Sequence, residues 1–431
     1  MLTLFGWFLG LLVIGLPVAL VLGGTAIAYM TLVADLPLRI VPQRMFAGLD
    51  KFILMSIPFF VLAGFLMNEA QLTDRLIRFA NLLVGRWRGG LAQVNVVTSM
   101  FFGGITGAAT ADTAAIGTIL IPAMVKEGYR SDFAAAVTVS SSIVGPLIPP
   151  SIPMLVYGIA SNASIGALFL AGLTPGVVVG LALLALNRRL LRNFTPTAAS
   201  FDSTAADGVG ARLREIVRTV RISLIALVMP VIIVGGIVGG VFTPTESSAV
   251  AVIYALVVGL AMGTLTGRSI ARTMTTAVVL TAAIMLIIAN ANLLGWVLAI
   301  EQIPQTVSAG FLSLTESRTV FLLIVVVLLL VIGLFLETSG AIIILVPVLL
   351  PAATQYGIDP VHFGVVLVFG LVIGLITPPV GLCLFIGSSI ARVPVHTLSR
   401  ALIPFLAVLI VVYLFFVFVP AASLWLPRLL S

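Results

Sequence analysis

Ser140-Ser-Ser-Ile-Val-Gly-Pro-Leu-Ile-Pro-Pro150 interrupts an apolar run with glycine and proline where a continuous helix would otherwise form. Proline has no N–H to donate, and its ring clashes with the preceding turn. The helix is therefore expected to break here and to leave carbonyl oxygens without helical partners. The pattern returns as Gly374-Leu-Ile-Thr-Pro-Pro379. Superposing the two puts Gly145 on Gly374 and Pro149–Pro150 on Pro378–Pro379, an offset of 229 residues, the difference between positions 145 and 374. Without a gap, the same offset carries Gly104 onto Gly333, Pro122 onto Pro351, Gly128 onto Gly357 and Gly158 onto Gly387. These landmarks in one register, a doubled proline among them, mark a duplication.

Outward from the breaks, the composition excludes a soluble domain. Of 431 residues, 61% are hydrophobic and 9% charged, against roughly 25% charged in an ordinary globular domain. Val320–Phe335 and Ala401–Val419 are long enough to cross much or all of a bilayer. Lipid gives the backbone no hydrogen-bond partners, so spanning segments are helices or a closed barrel. Barrel strands alternate apolar and polar residues, and these runs do not. The expected fold is an all-α polytopic membrane protein with an inverted repeat, about 10 to 12 spans and two re-entrant helical hairpins. The hydrophobic start at Met1 lacks a basic n-region and a small-residue cleavage site, so it is expected as a first membrane segment. Cys383, the single cysteine, can form no disulfide within the chain.

The net charge of +7 is not a nucleic-acid footprint, because the basic residues sit in short loops, where they set orientation. Seventeen of the 22 Lys and Arg fall in five clusters: Arg75/Arg78/Arg86/Arg88, Lys126/Arg130, Arg188 through Arg221, Arg268/Arg272 and Arg392/Arg400. With all five on the cytoplasmic side, the stretch 91–125 enters and leaves from the inside. Loops carrying Glu301, Glu316 and Asp359 then fall outside, so 318–353 is re-entrant from the other face. The loop with Arg39, Arg44 and Lys51 does not fit this assignment, which leaves the side of the N-terminus open. The expected organisation is scaffold helices over 1–70, then a first repeat over 71–186 with hairpin 91–125 and broken helix 132–157. A basic cytoplasmic linker over 187–221 and scaffold helices over 222–299 follow. The second repeat spans 300–400 with hairpin 318–353 and broken helix 361–387, ahead of a C-terminal helix over 401–431.

Each hairpin turns at a polar tip: Gly103-Gly-Ile-Thr-Gly-Ala-Ala-Thr-Ala-Asp112 in the first, Gly333-Leu-Phe-Leu-Glu-Thr-Ser-Gly340 in the second. The apolar arms are about 14 to 17 residues, short of the ~20 of a full span. Backbone left unpaired at membrane depth persists only inside protein or along a cavity. Carbonyls with Ser or Thr hydroxyls make hard oxygen ligands suited to an alkali cation. Paired interrupted segments in corresponding positions point to a transporter's binding site. Asp112 and Glu337 are the ionisable residues at the tips, and each either caps a helix or meets substrate. Asn290 and Asn292, in the apolar stretch 277–299, are expected to bond between helices. Glu246 is expected as a helix cap, and neither His362 nor His396 as a metal or catalytic group.

Four segments together resemble the large membrane subunit of tripartite ATP-independent periplasmic (TRAP) transporters over the whole chain. They are Ser56-Ile-Pro-Phe-Phe-Val-Leu-Ala-Gly64, the Gly103–Gly117 tip, Val144-Gly-Pro-Leu-Ile-Pro-Pro-Ser151 and Gly374-Leu-Ile-Thr-Pro-Pro-Val380. The resemblance implies sodium-coupled uptake of an organic acid such as a C4-dicarboxylate, sialic acid or another sugar acid, by an elevator motion of a domain holding both hairpins. It also implies two partners beside membrane lipid: a small four-helix membrane subunit and a periplasmic substrate-binding protein. Carried over by motif, one sodium site comprises Gly333, Gly374, Thr377 and Val380. The repeat offset projects these onto Gly104, Gly145, Ile148 and Ser151 as a second site, with Ile148 contributing only its carbonyl. Thr110, Asp112, Thr338 and Ser339 are the substrate-binding candidates, where an anion could meet helix N-termini. The alternative within transport is a stand-alone ion-coupled carboxylate symporter or antiporter of related two-hairpin architecture. An intramembrane enzyme would need a nucleophile with a base or a metal cluster, and two His with one Cys offer neither.

Overall fold

The computed structural model describes residues 2–192, 194 and 209–430. The Ser-, Thr-, Ala- and Gly-rich part of the expected linker, 195–208, lies outside the described residues. Among the described residues every regular element is helical. Seven helices are long and apolar enough to cross a membrane, and shorter apolar helices accompany them. Large apolar side chains face outward along these helices, as Val278 and Val279 do at 64% and 65% exposure. Such a surface is at home in lipid, not water.

Helix starts are chemically marked, because the first-turn N–H groups need partners. Thr243 and Glu246 form a reciprocal capping box at the head of Pro244–Ala261, so Glu246 is the cap that its position suggests. Thr266 and Ser269 do the same for Gly267–Ile300, and Asp359 accepts from Val361 and His362 N–H at the start of Pro360–Gly374. The C-terminal helix expected over 401–431 is instead two helices, Val395–Phe418 and Pro420–Leu430, parted at Val419 ahead of Pro420. Proline there supplies no N–H to continue the first helix.

The two hairpins are Gly90–Thr106 with Ala109–Lys126, and Arg318–Phe335 with Thr338–Gln355. Each is followed by a broken helix: Ser131–Ser141 with Ile152–Ser161, and Pro360–Gly374 with Leu382–Ala391. The second half of each broken helix packs on the other copy's hairpin. Ile152–Ser161 lies against Thr338–Gln355, and Leu382–Ala391 lies against Ala109–Lys126. This exchange knits both hairpins into one unit, with the segment His362–Gly374 wholly buried at its centre. The flanking helices pair among themselves, Pro244–Ala261 with Ser56–Glu69 and Gly267–Ile300 with Val18–Leu32.

The repeat keeps its 229-residue offset from the second hairpin arms through the doubled prolines, both of which are cis peptides. Gly128 and Gly357, matched at that offset, both turn through positive φ, +94° and +67°. Beyond the prolines the register slips by one. Ile152–Ser161 corresponds to Leu382–Ala391, and left-handed Asn162 and Arg392 close them. The added residue is Gly381, at φ +58°, in the second break. The sequence match of Gly158 with Gly387 is thus one residue out of structural register, and the cap position of Ser151 corresponds to Gly381, not Val380.

Candidate ion and substrate site

At the first break, a Cβ built on Gly103 would lie 2.6 Å from the Gly145 Cα. Backbone therefore meets backbone, with no room for a side chain. The offset had put Gly104 in this role. Gly104 instead faces the carbonyl of Pro149 and the ring of Pro230 on the neighbouring helix. The sequence offset counts along the chain, whereas contact follows which face of the arm meets the break, and the two differ by one residue. Gly107, left-handed at the hairpin tip, approaches the Pro150 carbonyl in the same way.

Within this break, no backbone N–H or side chain donates to the carbonyls of Gly145, Leu147, Ile148, Pro149 or Pro150 among the described residues. All of residues 141–151 are buried, so these oxygens are shielded from bulk solvent as well as unpaired. Ser151 is differently placed. Its hydroxyl donates to the Pro146 carbonyl and accepts from the Met154 N–H, so it serves chiefly as a cap for Ile152–Ser161.

The second break is built the same way. Gly374 and Gly333 face each other, and a Cβ on Gly374 would meet the Gly333 Cα at 2.5 Å. The Gly381 N–H donates to Leu334 O at 3.3 Å, which ties the far end of the break to the hairpin. The Thr377 hydroxyl donates to Ile373 O at 2.8 Å and keeps its oxygen lone pairs available. Carbonyls of Ile376, Thr377, Pro378, Pro379 and Val380 receive no donor among the described residues. Thr377 and Val380 are half-buried and Pro379 is exposed, so this break is the more open of the two.

The tip carboxylates take different roles. Glu337 accepts from the N–H groups of Ser339 and Gly340 at 2.9 and 3.2 Å and caps Thr338–Gln355. The Ser339 hydroxyl is drawn onto the same carboxylate. The Thr338 hydroxyl is buried with no partner among the described residues, and Thr110 is half-buried at the other tip. Asp112 is not a cap. Its N–H bonds to Ala108 O within the helix, and its side chain is wholly buried. The Ser99 hydroxyl faces the carboxylate but donates to Ser141 Oγ at 3.0 Å, so among the described residues neither Asp112 oxygen has a partner in hydrogen-bonding geometry.

Around Asp112 lies a polar cluster that motif reasoning missed. The Asn95 amide donates to Thr138 Oγ1 at 2.7 Å, Ser141 donates to Asn95 Oδ1 at 3.1 Å, and Thr113 donates to Ser142 Oγ at 2.7 Å. The Cys383 thiol, from the other repeat, faces Thr113 and Ser142. At the 229-residue offset, Asn95, Ser99, Asp112, Thr113, Thr138 and Ser141 have Ile324, Leu328, Ala341, Ile342, Leu367 and Gly370 as counterparts. The geometry is duplicated but the chemistry is not. Asn95 and Ser99, four apart in an apolar arm, share a helix face, and that spacing was the available signal.

Among the described residues, Asn290 and Asn292 make no hydrogen bond between helices. Their amides pack into notches at Gly23 and Gly48. His362 is satisfied by Ser423 Oγ at 2.9 Å and the Val417 carbonyl at 3.3 Å.

The model of the family described as "Tripartite ATP-independent periplasmic transporter, DctM component" matches residues 5–422. The chain is 39% identical to the sialic acid TRAP transporter large permease protein SiaM of Vibrio cholerae, over 99% of this chain and 98% of that one. It is 35% identical to the C4-dicarboxylate TRAP transporter large permease protein DctM of Rhodobacter capsulatus, over 100% and 99%. With the isethionate TRAP transporter permease protein DctMQ of Oleidesulfovibrio alaskensis it shares 38%, covering 98% of this chain and 66% of that protein. Its fold is similar to that of the Alcanivorax borkumensis YdaH transporter, with a TM-score of 0.62 at 17% identity, over 92% of this chain and 90% of that one. Full-length similarity, a polytopic helical fold and paired broken helices agree: the chain is a multi-pass protein of the bacterial inner membrane and belongs to the DctM component family of tripartite ATP-independent periplasmic transporters.

Proposed function

We propose that this permease imports an organic anion, a C4-dicarboxylate, a sialic or other sugar acid, or a small sulfonate, in symport with sodium. The observation that carries the proposal is the run of donor-free carbonyls at each break, held against a hairpin glycine. Hard neutral oxygens suit an alkali cation. Gly333, Gly374, Thr377 and Val380 would hold one sodium. Gly103 with Gly104, Gly145 and the Ile148 carbonyl would hold another, and Ser151 is there mainly to cap. Cation binding would fix each tip to its break and so order the region of Thr110, Thr338 and Ser339 for the anion. Both hairpins belong to one interlocked unit, while Ser56–Glu69 with Pro244–Ala261 and Val18–Leu32 with Gly267–Ile300 pack chiefly on each other, which supports an elevator in which the unit slides against that frame.

The relatives' names support two partners, a small four-helix membrane subunit and a periplasmic binding protein that delivers the cargo. The test is uptake of radiolabelled succinate and N-acetylneuraminate by proteoliposomes holding this chain and the small subunit, with the binding protein added outside. Uptake should require both an inward sodium gradient and the binding protein. Uptake driven equally by protons alone would overturn sodium coupling. Uptake indifferent to any soluble partner would favour a stand-alone symporter.

A further inference from the structure

Among the basic residues that resist the positive-inside assignment are Arg39, Arg44 and Lys51. Two of them line a cavity of about 310 Å³ between the flanking helices and the interlocked unit. Arg44 and Lys51 stand on its wall with Asn292 and Trp296, while Ile159 and Ile343 form the opposite, apolar wall. The volume matches the lower end of pockets that hold small organic ligands.

The side of the membrane follows from packing. Ser131–Ser141 starts beside the basic Lys126/Arg130 cluster, and Tyr157, beyond the break, donates its hydroxyl to Pro360 O at 2.6 Å next to Asp359. Ile159 therefore lies towards the acidic-loop face, opposite the basic clusters. Cations on that face are not explained by orientation.

Nor are they explained by ion pairing. Among the described residues, ion pairs join Arg130 to Asp132 and Arg272 to Glu69, and neither Arg44 nor Lys51 has one. Asp50, adjacent to Lys51 in the chain, pairs with neither. The Arg44 guanidinium rests over the Trp296 ring, 4.9 Å from its centroid, which orients it without neutralising it. Asn292 is pressed against Gly48 and its amide makes no hydrogen bond among the described residues.

We propose that Arg44 and Lys51, with the Asn292 amide, form a receiving subsite for the acid group of an organic anion on the static frame, before it reaches the hairpin tips. The inference rests on the anion-transport reading above. A guanidinium over an indole face, with no ion-pair partner, keeps N–H donors for a carboxylate or sulfonate. Lys51 adds a second charge, and the apolar wall accepts the carbon skeleton. A cleft lined by one sign of charge raises the local concentration of the opposite ion.

The test reads the charge of the cavity directly and needs no transport. Gly295 lines the cavity with open space where a side chain would begin, so Gly295→Cys is made in the full chain in intact cells. The parent, whose only thiol is the buried Cys383, is the control. Labelling rates are compared for methanethiosulfonates bearing a sulfonate or a trimethylammonium group, each normalised to its rate with a free thiol. The sulfonate should be favoured by about tenfold, and the preference should vanish with Arg44→Gln plus Lys51→Gln but survive Arg44→Lys. Millimolar succinate or N-acetylneuraminate should slow labelling. Equal normalised rates, a preference unchanged in the double variant, or no labelling by either reagent would overturn the subsite while leaving sodium-coupled transport untouched.

Discussion

Gly333 and Gly374 are in backbone contact, so close that a methyl carbon on Gly374 would sit 2.5 Å from the Gly333 Cα. Neither partner can give way, because the obstructing atoms are main chain on both sides. The hairpin and the break beyond it therefore meet at a distance set by glycine alone, and the donor-free carbonyls beside that contact depend on it.

Gly374→Ala should separate hairpin and break, and overpacking of this kind costs about 1–3 kcal/mol. Purified variant should show a lower melting temperature, and the stabilisation that sodium confers on the parent should be reduced or absent. A variant that melts like the parent and responds equally to sodium would show that the contact does not shape the site.

Thr377→Ala removes a hydroxyl within the break whose proton is committed to Ile373 O and whose oxygen accepts no hydrogen bond among the described residues. Half-maximal transport should then need a higher sodium concentration, with little change in the anion concentration required. An unchanged sodium dependence counts against Thr377 as a ligand.

Asp112→Ala installs the residue found at the matching position of the second repeat, Ala341. Removing a buried carboxylate that lacks partners should leave thermal stability unchanged or raised, while uptake falls. A loss of stability of about 3 kcal/mol or more would instead mark Asp112 as structural.

Glu337→Ala deletes the cap of Thr338–Gln355, a change worth about 1 kcal/mol. The effect should be local: faster hydrogen exchange at the Ser339 and Gly340 amides, with Glu337→Gln intermediate. Unaltered exchange at both amides would show that the cap is dispensable.

Exposed Lys126 and Glu316 flank the bases of the two hairpins. The charge map puts them on opposite faces of the membrane. In intact cells a membrane-impermeant maleimide should label Glu316→Cys and not Lys126→Cys. Labelling of both, or of Lys126→Cys alone, contradicts the inverted arrangement.

Much of this molecule was legible without coordinates because its signals are local. The apolar runs cannot be coated with water, and a Pro-Pro pair cannot continue a helix wherever it lies, so membrane class, hairpins and breaks followed from composition and spacing. The same locality explains what went astray. Gly104 was matched to Gly333 by counting, yet Gly103 meets the break. Ser151 was matched to Val380, yet one inserted glycine, Gly381, shifts the register. Asp112 follows a tip, where it could cap a helix or meet substrate; a cap requires a side chain turned back on the first amides, and this one makes no capping hydrogen bond and is buried.

The sequence by itself determined that the chain is a helical membrane protein, that it is duplicated and where its helices break, since each of these depends on neighbouring residues and the solvent around them. Tertiary structure decided which glycines touch, which carbonyls stay unpaired, that a polar cluster encloses Asp112 in one repeat only, and that Arg44 and Lys51 share a cavity. Those outcomes depend on which faces of distant helices meet, and a shift of one residue turns a helix face by about 100°, so no count along the chain can supply them.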